Sequence, residues 1–211
     1  VLGLNGKDLR IVDGGEAASV SLGDNRDPAA AFVQVVVQSM VRPPATLDVH
    51  LASGREVLRR QETVRGLDPA LYRSQLVWAP ARDGAKVPVT LAWRHDRARR
   101  DGMAPLLLEA YGAYGDPYEP EFIAHRLSLL DRGFVVGIAH VRGGAEMGQA
   151  WYEAGRLMNK RRSFEDFIDV TDHLVAERWA APAKVFAQGA SAGGLLMGVV
   201  LMSAVLSWVN P

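Results

Sequence analysis

The stretch KVFAQGASAGGLLMG, residues 184–198, decides the fold of the carboxyl-terminal part of this chain. Its first apolar residues predict a buried strand, the pentapeptide GASAG predicts a tight turn, and the residues after it favour a helix. A serine on such a strand–turn–helix junction stands out at the end of the strand, where a substrate can reach its hydroxyl. Ser191 is therefore the candidate nucleophile, although G-x-S-x-G also arises by chance in segments rich in glycine and alanine.

The residues around the candidate nucleophile suit acyl transfer. The turn needs small neighbours, which Gly189, Gly193 and Gly194 supply. The first turn of a helix leaves backbone N–H groups without partners, and that of Ala192 points to where a substrate carbonyl oxygen becomes an oxyanion. A second donor has to come from another loop, and the phenol of Tyr111 is the candidate. We expect these two groups to form an oxyanion hole.

From residue 105 onward, strands alternate with helices. Three apolar runs predict buried strands: PLLLEAYG (105–112), FVVGIAHV (134–141) and KVFAQG (184–189). Between them, FIAHRLSLLDRG (122–133) predicts an amphipathic helix that ends at Gly133, and residues 163–179 predict a helix capped by Ser163. This alternation indicates a mainly parallel sheet covered on both faces. Each strand leads into a glycine-rich loop, which is where binding chemistry collects in such sheets.

The residues before this alternation have β character. Runs up to about residue 65 are short, apolar or alternating, and are separated by Gly, Asp, Asn and Pro. DVHLASGREVL (48–58) predicts a hairpin, and Pro43-Pro44 predicts a break before it. Two further strands are expected at 75–78 and 87–93, joined by a turn at Asp83-Gly84.

A general base for Ser191 is not evident. In α/β-hydrolases the serine is followed by an acid and then a histidine, but all five histidines precede Ser191. His140, at the end of a predicted strand, is the one near the expected site, and a structural role for it is favoured. The chain also begins without Met and closes within an apolar helix too short for a membrane span. We expect it to be a fragment.

The composition excludes several functions. Hydrophobic residues make up 48% of the chain and the formal net charge is zero, which gives no support to nucleic-acid or anionic-membrane binding. Cysteine is absent, so neither a disulfide framework nor a thiolate metal site is possible. We expect no cofactor and no metal. No signal peptide is visible, so a cytoplasmic location is expected, and the oligomeric state stays open.

Five motifs together resemble the prolyl oligopeptidase family of serine peptidases, and oligopeptidase B within it. They are YRSQLVWAPARDGAKVPVTLAW, PLLLEAYGAYG, RLSLLDRGFVVGIAHVRGGAEMGQAWYEAGR, SFEDFIDV and GASAGGLLMG, within residues 70–200. The resemblance implies a β-propeller followed by an α/β-hydrolase domain that cleaves short peptides. It assigns residues 1–69 to the end of the propeller and a linker, and residues 70–211 to part of the catalytic domain.

The same resemblance implies the roles of individual residues. Ser191 matches the nucleophile, and Ala192 and Tyr111 match the two oxyanion donors, while the acid and the histidine would lie beyond residue 211. Glu119 and Glu121 match a loop whose acidic residues favour basic substrate side chains, since paired carboxylates attract Arg. Two solvated surface glutamates are the alternative, and Pro120 between them departs from the family pattern.

Three remaining expectations concern the loop after the second parallel strand and the helix that follows it. Arg142 and Glu146 either line the cleft or form a buried ion pair that shapes the loop, and the ion pair is favoured. The basic run 160–162 is expected to be a solvated approach to a helix. Trp151 and Tyr152 are expected to serve packing.

Two other functions remain open. The same fold serves esterases and acylpeptide hydrolases. Comparing an Arg-containing peptide amide with a simple acyl ester would discriminate, because an acidic cleft has no reason to favour a neutral ester. Alternatively, the 211 residues are inactive because base and acid are absent, and the sheet then has an exposed edge that favours association. We expect the chain alone to hydrolyse peptides negligibly and to fold poorly.

Overall fold

The computed structural model describes Gly15 and residues 17–209, with the side chains of the last helix described as far as Ser203. The chain forms two compact units. The first contains the residues up to Ala70 together with Pro120–Ala124, and the second contains Leu71–Glu119 and the residues from His125 onward.

The first unit is a four-stranded antiparallel sheet in which each strand pairs with the next one along the chain. Its strands are β1 (Ala18–Leu22), β2 (Phe32–Ser39), β3 (Arg42–His50) and β4 (Glu56–Gln61). The predicted hairpin at 48–58 is confirmed, because β3 and β4 pair antiparallel across it.

The predicted break at Pro43-Pro44 is wrong, since both prolines lie inside β3. The chain reverses just before them, at Met40 and Val41. Proline has no N–H to give to a ladder, but the register between β2 and β3 shifts between Val37 and Ser39, at the level of these prolines. Their carbonyl groups still accept hydrogen bonds from β4, because the side-chain amide of Gln61 donates to both.

The second unit contains a five-stranded mixed sheet in the order β5-β6-β8-β7-β9. Its strands are β5 (Tyr72–Pro80), β6 (Lys86–Arg94), β7 (Leu106–Glu109), β8 (Val135–Ala139) and β9 (Val185–Gln188). The predicted parallel arrangement is confirmed for β7, β8 and β9. The hairpin of β5 and β6 joins them antiparallel through β8, so the described sheet is mixed rather than mainly parallel.

Four α-helices belong to this unit: α1 (Leu127–Leu130), α2 (Gln149–Glu153), α3 (Arg161–Ala176) and α4 (Ala192–Val209). The helix expected over 122–133 is much shorter, because Pro120–Ala124 belongs to the first unit and a 3₁₀ turn at Ala124–Arg126 precedes α1. Ser163 is not the cap of α3. The helix begins two residues earlier, and the buried Ser163 hydroxyl donates instead to the carbonyl of Arg142.

The core lies between the sheet and the apolar face of α3. Every residue of β8 is buried, as its uninterrupted apolar run predicts. Phe167, Val170 and Leu174 recur on α3 at helical spacing and are all buried in the same cluster. This packing fixes β7 and β8, and so it fixes the loops that follow them.

The edge of the sheet at β9 is open among the described residues. Phe186 is 52% exposed, and Leu195, Leu201 and Met202 on α4 are each about 60% exposed. The exposed edge expected from the sequence is therefore present. None of the described helices is both long enough and apolar enough to cross a membrane.

Candidate active site

The pairing of β7 with β9 brings Tyr111 and Ser191 to one edge of the sheet. The two strands are parallel, with Glu109 opposite Gln188. Tyr111 follows two residues after the first of these and Ser191 three residues after the second. Parallel strands that are in register end at the same edge, so residues 80 positions apart in sequence meet there.

Ser191 has a strained backbone. Its φ is +55°, in the left-handed region that costs a residue with a Cβ about 1–3 kcal/mol. The turn is closed by Gly193 N–H donating to the Ala190 carbonyl at 2.8 Å and Gly194 N–H donating to the Ser191 carbonyl at 3.0 Å. Helix α4 begins at the next residue, and Ser191 itself is exposed. The strand, tight turn and helix predicted from the sequence are therefore present.

Two of the three glycines near Ser191 are required for steric reasons. A Cβ on Gly189 would lie 2.5 Å from the Gly193 carbonyl oxygen, and a Cβ on Gly193 would lie 2.8 Å from the Ala110 carbonyl oxygen. The third expectation is wrong, because no heavy atom lies within 4 Å of a Cβ built on Gly194. Of these three glycines, Gly193 is the one whose close packing joins the serine turn to the loop after β7.

The two expected oxyanion donors are unengaged. Among the described residues, neither the backbone N–H of Ala192 nor the phenol of Tyr111 has a hydrogen-bond partner. Tyr111 is half-buried and shares with Ser191 the wall of a cavity of about 290 Å³. The other residues that line this cavity are Ala110, Asp116, Pro117, Tyr118, Gln188, Gly189 and Ala190. Free donors beside a serine hydroxyl are what a developing oxyanion needs.

Two residues that line this cavity, Asp116 and Tyr118, were not predicted from the sequence. Asp116 is exposed at the cavity, and within the described part of the chain its carboxylate has no partner. The phenol of Tyr118 donates to Glu109 at 3.2 Å, and Arg126 donates to the same carboxylate oxygen at 2.9 Å in a buried ion pair. Burial and the neighbouring Glu109 charge raise the pKa of Tyr118 to about 12. This wall is therefore neutral at Tyr118 and carries negative charge at Asp116.

Glu119 and Glu121 do not line this cavity. Both are exposed, and the boundary between the two compact units falls between them. Their role in binding basic side chains stays a prediction.

No histidine lines the cavity of Ser191. His140 is buried beyond the end of β8, where its Nε2 lies 2.8 Å from the Thr90 hydroxyl. Its carbonyl accepts a hydrogen bond from the Trp151 indole at 3.0 Å. These contacts support the structural role that was favoured for His140.

Arg142 has a structural role, but its partner is not Glu146. Its guanidinium donates to the fully buried Asp166 at 2.6 and 3.0 Å and to Asp83 at 2.5 Å. These hydrogen bonds raise the pKa of Arg142 above its ordinary value. Glu146 instead accepts the backbone N–H of Tyr118 at 3.0 Å.

The basic run 160–162 is only partly solvated as expected. Lys160 is half-buried and donates to the carbonyl of Gly112. Arg161 and Arg162 are exposed.

The described geometry is that of an α/β protein with an exposed serine on a strained strand-to-helix turn, next to an unengaged backbone N–H and in the same cavity as an unengaged phenol. Residues 120–205 match the prolyl oligopeptidase family. This match confirms the resemblance to the family that was predicted from the sequence.

Individual relatives agree with this assignment. Dipeptidyl aminopeptidase BI of Pseudoxanthomonas mexicana is 49% identical over 87% of this chain and 25% of its own length. Protease 2 of Moraxella lacunata is 41% identical over 80% of this chain and 24% of its own length. The structure of oligopeptidase B from Leishmania major is 32% identical, covers 90% of this chain and 27% of that protein, and superimposes with a TM-score of 0.82. The chain thus spans about a quarter of the length of the curated relatives it matches.

Proposed function

We propose that this chain carries the nucleophile and the oxyanion hole of a serine endopeptidase that hydrolyses short peptides. The observation that carries the proposal is Ser191, held at a φ of +55° at the end of β9 in the same cavity as Tyr111. The match of residues 120–205 to the prolyl oligopeptidase family supports peptides as the substrate class.

The chemistry follows from this geometry. The Ser191 hydroxyl oxygen attacks the substrate carbonyl carbon, and the hydroxyl proton passes to a general base. The tetrahedral oxyanion accepts hydrogen bonds from the Ala192 N–H and the Tyr111 phenol. The C–N bond then breaks as the base returns the proton to the leaving amine, and water hydrolyses the ester left on Ser191. We expect the general base to lie in the part of the protein that corresponds to the three quarters of the relative's length that this chain does not match.

We propose further that substrates carry a positive charge near the scissile bond. Asp116 supports this, because an unpaired carboxylate at the wall of the Ser191 cavity attracts a cation. Glu119 and Glu121 add negative charge nearby in sequence. An exposed charge pair of this kind contributes about 1 kcal/mol, or roughly fivefold in kcat/KM.

A dipeptidyl aminopeptidase is the second candidate, favoured by the relative of that name at 49% identity. Such an enzyme releases two residues from a free amino terminus, so its cationic group is the substrate's α-ammonium. An acidic cavity suits that group as well as it suits an Arg side chain.

We also propose that the first unit is one blade of a β-propeller. Four antiparallel strands that pair in chain order are the composition of such a blade. The likeness to oligopeptidase B over 90% of this chain supports the same assignment.

The test uses the full-length gene product and its Ser191→Ala variant. We expect cleavage of an amino-blocked peptide amide after Arg, with loss of all cleavage in the variant. Cleavage confined to peptides with a free amino terminus would select the dipeptidyl function. Equal rates for cationic and neutral substrates would refute the role of the acidic residues. Activity that survives Ser191→Ala would refute the assignment of the nucleophile.

A further inference from the structure

Lys160 has an unusual environment for a lysine. It directly precedes α3 and is half-buried, and its ammonium donates to the carbonyl oxygen of Gly112. The aromatic ring of Phe164 lies 5.7 Å from the ammonium. Among the ion pairs of the described residues none involves Lys160, and burial lowers its pKa. An ammonium without a counter-charge is an expensive group to bury, so its contact with Gly112 calls for an explanation.

The carbonyl that Lys160 contacts belongs to the loop that carries Tyr111. Gly112 follows Tyr111 directly and has a φ of +64°. The loop after β8 packs against the same group, because a Cβ on Gly143 would lie 2.2 Å from the Gly112 carbonyl oxygen. The Gly112 carbonyl is thus close both to the lysine ammonium and to the backbone of Gly143, and these two neighbours restrict rotation of its peptide plane.

The serine turn holds the other end of the same short segment. A Cβ on Gly193 would lie 2.8 Å from the Ala110 carbonyl oxygen and 3.6 Å from the Cα of Tyr111. The segment 110–112 therefore contacts the nucleophile elbow at its first residue, and Lys160 and Gly143 at its last. The Tyr111 phenol has no hydrogen bond of its own among the described residues. Its direction therefore depends on the backbone of residues 110–112 that carries it.

We propose that Lys160 is a positioning residue for the oxyanion hole: by fixing the Gly112 carbonyl, it aims the Tyr111 phenol at the oxyanion that forms beside Ser191. This inference rests on the proposed function. It assigns to Lys160 an effect on the transition state rather than on substrate binding, because the lysine is not part of the wall that Ser191 and Asp116 share.

A double-mutant cycle in the full-length gene product tests this inference. Lys160→Met is expected to lower kcat about 10- to 100-fold with little change in KM, since misplacing a catalytic group by about 1 Å costs about 100-fold. Combining it with Tyr111→Phe is expected to cost little more than Tyr111→Phe alone, because Lys160 acts through that phenol. Arg161→Met is the matched control: this neighbouring cation is exposed and pairs with Glu165 at the surface, so its removal should leave kcat unchanged.

A peptide aldehyde supplies a second measurement, because it forms a tetrahedral adduct with the serine. Lys160→Met should weaken aldehyde inhibition by the same factor as kcat while leaving inhibition by the product peptide unchanged. If Lys160→Met does not fold, Lys160→Arg replaces it in the cycle, with a smaller loss and the same non-additivity. Losses that multiply in the double variant, or a loss confined to KM, would overturn the positioning role. Absence of Ser191-dependent hydrolysis in the wild type would instead overturn the proposed function.

Discussion

Replacing Gly193 with alanine should damage catalysis through the contact that links the elbow to the Tyr111 loop. The new Cβ would lie 2.8 Å from the Ala110 carbonyl oxygen, and restoring an ordinary contact of 3.4 Å requires a movement of about 0.6 Å. Both partners of this contact are backbone, so the movement displaces either the serine turn or the segment that carries the phenol. Given about 100-fold for a displacement of about 1 Å, we expect kcat to fall about 10- to 100-fold.

Gly194 offers a matched control one residue away. It lies in the same first turn of α4, but no heavy atom lies within 4 Å of its hypothetical Cβ. Gly194→Ala should keep wild-type kcat and raise the free energy of unfolding by up to about 1 kcal/mol, because alanine favours a helix over glycine.

The assay compares both variants of the full-length gene product on one short peptide ester and one peptide amide. A burst of ester hydrolysis counts functional serines, so kcat is expressed per active site and is separated from loss of folded protein. Wild-type kcat in Gly193→Ala would refute the reasoning. Equal damage in the two alanine variants would refute it as well, because the effect would then follow from the helix and not from the contact.

Three further predictions follow from the described contacts. Tyr111→Phe should lower kcat about 100- to 1000-fold at unchanged melting temperature, and unchanged kcat would remove the phenol from the oxyanion hole. Tyr118 has a pKa raised from 10.0 to about 12, so the folded state retains this proton more firmly. Its contribution to stability is complete below pH 10 and is lost towards pH 12, and thermal unfolding of Tyr118→Phe should lack this dependence. Asp166→Ala leaves the buried Arg142 without its main counter-charge and should cost about 3–5 kcal/mol in denaturant unfolding, whereas Asp24→Ala, which removes an ion pair between two exposed side chains, should cost less than about 1 kcal/mol.

Local patterns were sufficient to predict the elements that hold the site. An uninterrupted apolar run such as β8 admits few alternatives to a buried strand, and G-x-S-x-G between an apolar run and helix formers specifies an elbow. Predictions failed where a distant contact replaced a local one. Ser163 is a good cap by composition, yet its hydroxyl bonds to the Arg142 carbonyl, 21 positions away. The prolines of β3 are tolerated because the pairing register shifts beside them, which no local pattern reveals.

The residues at the site that were not predicted from the sequence were missed for two different reasons. Lys160 follows Gly112 by 48 positions, and their contact exists because α3 packs across the sheet. In sequence this lysine belongs to a basic run that is typical of a solvated surface. Asp116 is missed for a different reason: it lies in a loop with three carboxylates, and spacing alone favours the pair at 119 and 121. Only the cavity shows which carboxylate lies beside the nucleophile.

The groups assigned to the reaction and the carboxylate assigned to substrate preference lie in parts of the site that are packed differently. The groups assigned to the reaction are a hydroxyl, a phenol and a backbone N–H, and close backbone packing at Gly189, Gly193 and Gly143 restricts their positions. Asp116 lies instead on an exposed loop, where its carboxylate has no partner in the described part of the chain. A substitution in that loop can therefore change the preferred charge without moving the elbow. Substrate preference should then change through Asp116→Asn at constant kcat for a neutral ester, whereas Gly193→Ala should slow every substrate alike.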